Sequence, residues 1–432
     1  MKNKKKIFLL STLAFALIIF SCSRQEDNLP LSGISNVESL VLSSSAAIDI
    51  IPVNQTVDFV LTGNDGLDYT TEGTFFVNQT EILGSSYAFD TTGSFQVSAT
   101  FDQVTSNSLD FNIISNEERS LLLNVSRAMN DQTIEFRVVD NQGTDVTGSS
   151  TIFVNDTAIS GSTFASPNEG EFSAYASYDD SGVILETEAK PFSVYIPKRK
   201  IVVEDYTGAW CGFCPAVSAA IYTLKDLTDD VSIVKLHETA NSFPDPFDFE
   251  DIDILKETFE AFGFPQARIN RTTVWSQPYT PSEITSIAGQ STDLAIGISS
   301  SVSGNDLAVN VEAVYRNGAG SGDKLVVYLI ENGLIYPQVN YFNDDPSSPY
   351  FGAGNPIPDF EHNEVLRLSL TNVLGDEISA AGPYELYQRT LNITMPAEYV
   401  VENLEVVVMI VNSDNVALNS QHAKVGEVKI FE

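Results

Sequence analysis

Two long stretches of the chain alternate apolar and polar positions, and a segment between them does not. Val57, Phe59 and Leu61 alternate with polar neighbours, as do Ile134, Phe136 and Val138; a period of two predicts half-buried strands. Asn64-Asp65-Gly66 and Asn141-Gln142-Gly143 supply turns after them. These regions are copies at a constant shift of 77 residues. Gln55-Thr56-Val57-Asp58-Phe59 matches Gln132-Thr133-Ile134-Glu135-Phe136, and Phe76-Val77-Asn78 matches Phe153-Val154-Asn155. Gly93, Phe95, Ala99 and Asp102 match Gly170, Phe172, Ala176 and Asp179. A gap-free repeat marks two copies of one unit. Alternation returns after Thr292, at Leu294-Ile296-Ile298, Leu307-Val309-Val311, Leu325-Val327-Leu329, 385–393 and 404–411. Between these blocks, apolar strands at 201–206, 231–236 and 266–270 are separated by helical spacing over 216–227 and 250–262. A short amphipathic stretch follows at 282–289.

About seven short strands per repeat suit an immunoglobulin-like (Ig-like) sandwich. Neither copy contains Cys or Trp, and both resemble the bacterial Ig-like modules that stand between a lipid anchor and a working domain. The pattern leaves adhesion or glycan binding open beside a plain stalk. Asp90-Thr91-Thr92 and Asp156-Thr157-Ala158 also resemble the short O-glycosylation sequon of Bacteroidetes.

The first residues change the picture of where the chain works. Lys2, Lys4, Lys5 and Lys6 precede an apolar run over 7–20. Such a run rises about 21 Å as a helix, too short for a hydrocarbon core of about 30 Å, so it reads as a secretory signal spanning 1–21. Ile19-Phe20-Ser21-Cys22 resembles a bacterial lipobox, which implies lipidation of Cys22 and a linker over 22–32; the alternative is an incidental Cys near an ordinary cleavage site. Ser23-Arg24-Gln25-Glu26-Asp27-Asn28 resembles the surface-export signal of Bacteroidetes lipoproteins. The expected location is the outer membrane, facing the cell surface, with a periplasm-facing protein as the alternative. The membrane, reached through the lipid on Cys22, is the expected partner. Lys and Arg number 23 against 58 Asp and Glu, for a net charge of −35; this balance excludes nucleic-acid binding, which needs clustered cations. Three Cys exclude a disulfide-dense scaffold, and three His leave little for a metal site. No cofactor and no metal are expected.

The chemistry concentrates in Thr207-Gly208-Ala209-Trp210-Cys211-Gly212-Phe213-Cys214-Pro215. Strand, CxxC at a helix start, strand, helix, Pro, strand is the thioredoxin order. Two Cys three apart on a first helical turn can close a small disulfide. Free backbone N–H groups and the helix dipole favour a thiolate on Cys211, and Cys214 is expected to resolve the mixed disulfide. Trp210 is expected to cover one side of the pair. Asp205, six residues before Cys211, matches the buried acid of thioredoxin; burial raises its pKa and suits it to carry the Cys214 proton. Pro265 stands where a cis-proline faces the disulfide and holds substrate backbone. The candidate catalytic set is Cys211, Cys214, Asp205 and Pro265.

Other readings of these residues stay open. A lone CxxC is also half of a zinc site, although no second Cys pair exists and His237 lies at a strand end. A permanent, structural disulfide fits an exported protein. Asp205 is alternatively a turn acid, and Glu204 alternates to the opposite sheet face. Asp245, Asp248, Glu250, Asp251 and Asp253 hint at calcium, without the spacing of an EF-hand loop. Residues 340–362 form a long Asp-, Pro-, Ser- and Gly-rich stretch, read either as a solvated insertion or as a loop bordering Cys211.

Val203-Glu204-Asp205-Tyr206-Thr207-Gly208 followed by Cys211-Gly212-Phe213-Cys214-Pro215 is similar to the entry motif of lipoproteins related to the 28-kDa outer membrane protein of Bacteroidetes. The resemblance runs from about residue 200 to the C-terminus. It implies outer-membrane association and a thioredoxin-like fold, and no established reaction. Gly212-Phe213 is neither the Gly-Pro of thioredoxin nor the Pro-His of strong oxidants, so no redox potential follows. The expected fold class is therefore multidomain. It comprises Ig-like β-sandwiches at 33–113 and 114–197, an α/β thioredoxin-like domain at 198–290, and a β-sandwich-like domain at 291–432. Two functions follow: thiol–disulfide exchange on exported proteins, or a non-enzymatic surface protein with a static bridge.

Overall fold

The computed structural model describes residues 37–114, 119–180, 183–240, 243–379 and 381–431. The leader, Cys22 and the linker after it lie outside the described residues. The chain is mostly β.

Each repeat folds as one three-stranded and one six-stranded sheet. In the first, Leu40–Ser44, Thr56–Gly63 and Ser86–Ala88 form the smaller sheet. The larger is built around Gly93–Phe101, which pairs with Thr74–Val77 and Leu109–Ile114. Leu42, Phe59 and Leu61 meet Phe75, Val97 and Phe111 in a shared core, so the period-two pattern of the sequence has become the inner face of a sandwich. The second repeat reproduces this with Leu121, Phe136 and Val138 against Ile152, Ala176 and Phe192. Ile50 and Val139 are buried together at the joint between the repeats. Met129 and Tyr195 of the second repeat pack with Ala295 and Val314 of the C-terminal region.

The rest of the chain is organised by one nine-stranded sheet. Its main strands are β1 (Ile201–Thr207), β2 (Val231–His237), β3 (Gln266–Ile269) and β4 (Thr273–Trp275). They are joined by β5 (Lys324–Glu331), β6 (Val365–Ser369), β7 (Leu404–Val411) and β8 (Ala417–Lys424). The lateral order is β4-β3-β1-β2-β6-β5-β7-β8, with Asp376–Glu377 paired to the start of β5. β1 and β2 are parallel from Ile201↔Val231 to Thr207↔His237, and β3 is antiparallel to β1. The helices are α1 (Pro215–Leu227), α2 (Ile252–Phe259) and the short α3 (Ser282–Thr285).

The strands expected on either side of residue 290 therefore share a sheet. The seam is narrow: β2 meets β6 through the parallel pair Lys235↔Val365, beside a bond from Lys235 N to Glu364 O of 2.7 Å. The physical reason lies in β5 and β7. Leu325, Val327, Leu329, Val406, Val408 and Ile410 face the four-stranded sheet that holds Leu294–Ser303 and Asp306–Tyr315. Val326, Tyr328, Ile330, Val407 and Met409 face the opposite way, into a core with Leu255 and Phe259 of α2 and with Val202, Tyr206, Val234 and Leu236. Strands apolar on both faces need cover on both faces. One layer comes from the C-terminal sandwich and the other from α2. The unbroken run Leu325-Val326-Val327-Tyr328-Leu329-Ile330 carried this signal, which a reading of odd positions alone overlooks.

Candidate functional site

Alternation along β1 divides its side chains between two environments. Ile201 and Val203 pack with Val217, Ile221 and Leu224 of α1, whereas Val202 and Tyr206 face α2. By this register Asp205 lies on the α1 face and Glu204 on the α2 face.

β1 ends at Thr207, and a turn carries the chain to Cys214, the N-cap of α1, with Pro215 in the first helical turn. Pro is tolerated there because the helix leaves those N–H positions unpaired. Cys211 precedes the helix rather than lying in it; its N–H donates to Gly208 O (2.9 Å), and its own carbonyl accepts from Cys214 N (3.2 Å). Cys211 and Cys214 are joined in a disulfide and are only 4% and 1% exposed. Trp210 stacks on Phe264, with ring centroids 5.7 Å apart, and donates from Nε1 to Glu238 O (2.6 Å). The bond from Phe264 to Pro265 is cis. The Trp210–Phe264 stack thus brings the residue before Pro265 against the residue before Cys211.

Asp205 is fully buried, and both its carboxylate oxygens lack a hydrogen-bond partner. Burial pushes its pKa up to about 7; Lys235 opposes the rise and Glu364 adds to it. Lys235 is directly across from Asp205 in the β1–β2 register. Its Nζ nevertheless lies 3.3 Å from Glu364 Oε2, and Lys225 of α1 pairs with the other oxygen of Glu364. Among the described residues, no cation ion-pairs with Asp205. On the opposite face, Arg271 donates to Glu204 Oε1 (3.1 Å), Tyr328 Oη (2.9 Å) and Val373 O (2.8 Å).

A second buried cluster supports the Cys turn. Asp245 Oδ2 accepts from Ala209 N (2.7 Å) and lies 2.9 Å from His237 Nδ1. Burial works against its charge, but the bonds from His237, Ala209 and Phe247 outweigh it and hold the carboxyl below the usual range. The His237 ring packs on His362, centroids 5.2 Å apart. Burial, with His237 beside it, pushes the His362 pKa down to about 3 and keeps that ring neutral. His237 therefore has a buried carboxylate partner at its strand end. Asp245 is used as a bracket for the turn, and among the described residues no group of three or more His, Cys, Asp or Glu is placed to hold a metal.

The long loop borders the disulfide. Gln338 Nε2 donates to Cys211 O (2.9 Å), Gly208 O (3.2 Å) and Val339 O (3.1 Å). Val339 N donates to Ala209 O (2.8 Å), and Tyr341 N to Gly212 O (2.9 Å). Residues 338–341 thus run beside the Cys turn and bond its backbone. Gly212 is required by this approach, because a Cβ there would lie 2.5 Å from the Tyr341 ring. Phe213 meets Tyr341 edge-on at 5.1 Å. The loop is braced from within: the buried Asn340 side chain donates to Tyr350 O (3.1 Å) and Gly354 O (3.0 Å) and accepts from Phe342 N (3.0 Å).

Sequence reasoning missed Lys235, Gln338 and Glu364. Lys235 had a signal, a charge inside the apolar strand Val231-Ser232-Ile233-Val234-Lys235-Leu236. Gln338 and Glu364 had none, since more than a hundred residues separate them from the groups they touch.

No curated protein matches the chain. Among solved structures, HBP35 of Porphyromonas gingivalis is similar at 16% identity and a TM-score of 0.41, over 53% of this chain and 76% of that one. The D0-D1 domain of Intimin is similar at 12% identity and a TM-score of 0.23, over 36% of this chain and 98% of that one. At these scores the likenesses carry no argument. The family model of the outer membrane protein Omp28 matches residues 252–429, a stretch that takes in α2, β3 to β8 and the long loop over 340–362 and begins downstream of Cys211 and Cys214.

Proposed function

We propose that this chain is an outer-membrane-anchored lipoprotein whose thioredoxin-like segment exchanges disulfides with exported proteins. One observation carries the reading: an unpartnered, fully buried carboxyl, Asp205, on the sheet face covered by the helix that Cys214 caps. The Omp28 match supports the outer-membrane location, and the tether on Cys22 rests on the lipobox-like Ile19-Phe20-Ser21-Cys22.

In the reduced form, the Cys211 thiolate attacks a substrate disulfide, forms a mixed disulfide and releases one substrate thiolate. Cys214 gives its proton to the Asp205 carboxylate and attacks Cys211 Sγ. The 211–214 bond re-forms, and the substrate leaves with both sulfurs reduced. The reverse path reduces the pair and oxidises a substrate dithiol, with Asp205 returning the proton to Cys214. Pro265 would hold the substrate backbone beside Cys211. Exchange requires residues 338–341 to release the turn, because Cys211 is buried beneath them.

That burial favours the second reading, a non-enzymatic surface protein with a static bridge. Cys214→Ser separates the two. An exchanging protein accumulates mixed disulfides through Cys211 with exported proteins. If none is trapped, and the wild-type pair resists reduction in glutathione buffers, the bridge is static.

A further inference from the structure

The placement of Lys235 is unexpected for its register. It stands opposite Asp205 in the β1–β2 ladder, yet its ammonium is engaged by Glu364, a residue 159 positions along the chain from Asp205. Glu364 is itself fixed by its backbone: its N–H donates to Asn332 Oδ1 (2.8 Å) and its carbonyl accepts from Lys235 N (2.7 Å). Its backbone adopts a left-handed conformation, φ 56°, which few residues other than Gly take without support. Glu364 is 4% exposed, so its charge is held in a medium of low dielectric constant, where an ion pair is strong and an unpaired charge is costly.

We propose that Glu364 is a positioning residue for the Cys211–Cys214 pair: by pairing with the Lys235 ammonium, it leaves the Asp205 carboxyl without an ion-pair partner of its own, able to hold and return a proton. The inference rests on the exchange reading above and adds a residue from outside the segment that carries the CxxC motif.

The groups around this centre are few. Tyr222 and Lys225 approach from α1, with Lys235 Nζ 5.4 Å from the Tyr222 ring centroid. Glu364 and the neutral His362 come from the segment before β6, Tyr279 follows β4, and Glu405 comes from β7. Lys235 and Lys225 are the cations among them. Lys225 is partly exposed and already paired with Glu364. If Glu364 becomes neutral, Lys235 loses its partner, and the Asp205 carboxylate is the remaining buried anion in register with it. Lys235, which already opposes the rise, then acts on the Asp205 anion undivided, and the like charge of Glu364 is gone; both changes favour ionisation.

The test is a titration of the Asp205 carboxyl in the purified, oxidised protein. Infrared absorption of the protonated carboxyl is followed against pH and assigned by its loss in Asp205→Asn. The expected midpoint in the wild type is near 7. Glu364→Gln lowers it by at least one pH unit, a tenfold rise in the acid dissociation constant, and Glu364→Asp restores it at least halfway. Lys225→Met, which leaves Glu364 wholly to Lys235, does not lower it. A midpoint that is unchanged or raised in Glu364→Gln overturns the proposal, as does an equal fall in Lys225→Met. Because the readout is a proton and not a product, it is independent of trapping by Cys214→Ser. A shifted midpoint with no trapped partner would remove the exchange reading and leave the electrostatic one standing.

Discussion

Glu204 and Asp205 are neighbours on one strand, both fully buried and both pushed above the usual carboxylate range by burial, and they differ in their partners. On the α2 face, Glu204 is paired with Arg271, whose guanidinium also bonds Tyr328 and a backbone carbonyl. On the α1 face, Asp205 has a lysine across the ladder that belongs to another carboxylate. A buried charge costs several kcal/mol unless it is paired, so the first arrangement is a structural clamp between β1 and β5. The second keeps its carboxyl poised between two protonation states, the condition for moving a proton. Burial alone therefore does not separate structure from chemistry; the number of committed partners does.

The largest expected effect would break the paired side. Arg271→Met strands the Glu204 carboxylate and should destabilise the fold by about 3–5 kcal/mol in urea denaturation. Lys235→Met should cost clearly less, because Lys225 remains on Glu364; equal losses would erase the distinction between the faces. The next effect sharpens the unpaired side. The folded pKa of Asp205, about 7, lies above the value near 4 of an unfolded Asp. Below pH 4 both states are protonated and the site is neutral in effect. As pH rises from 4 to 7 the unfolded state releases its proton first, and the folded state loses stability. Asp205→Asn should therefore stabilise the protein by about 1–4 kcal/mol at pH 8, with the gain vanishing at pH 4. A constant gain at both pH values would place the cause elsewhere. The smallest effect concerns the loop. Gln338→Ala removes the donor to Cys211 O and Gly208 O and should cost about 1 kcal/mol. It should also speed reduction of the disulfide by small thiols several-fold. An unchanged rate would show that residues 338–341 do not limit access to Cys211.

Much of this architecture is legible in local pattern. The 77-residue repeat and its alternation predict two β-units, and the structure forms both with Phe59 and Phe136 in corresponding cores. The helix expected over 216–227 occupies Pro215–Leu227, and that expected over 250–262 is shorter, Ile252–Phe259. It ends at Glu260, which takes a left-handed cap. The extra residues Ala261 and Phe262 had the right polarity and no helical backbone to use it.

What the sequence alone determined is whatever depends on neighbours a few residues apart: strand period, helix spacing, the CxxC pair and the Asp205 position on β1. What only the tertiary structure decided is who stands beside whom. Residues 338–341 lie along the Cys turn, Glu364 takes Lys235, and β5 to β8 extend the sheet begun by β1. Such contacts join positions a hundred or more residues apart, and their energies are set by burial and geometry that no local window contains. Asp205 is left without an ion-pair partner because Lys235, across the ladder from it, lies against Glu364, and nothing within ten residues of either side chain says so.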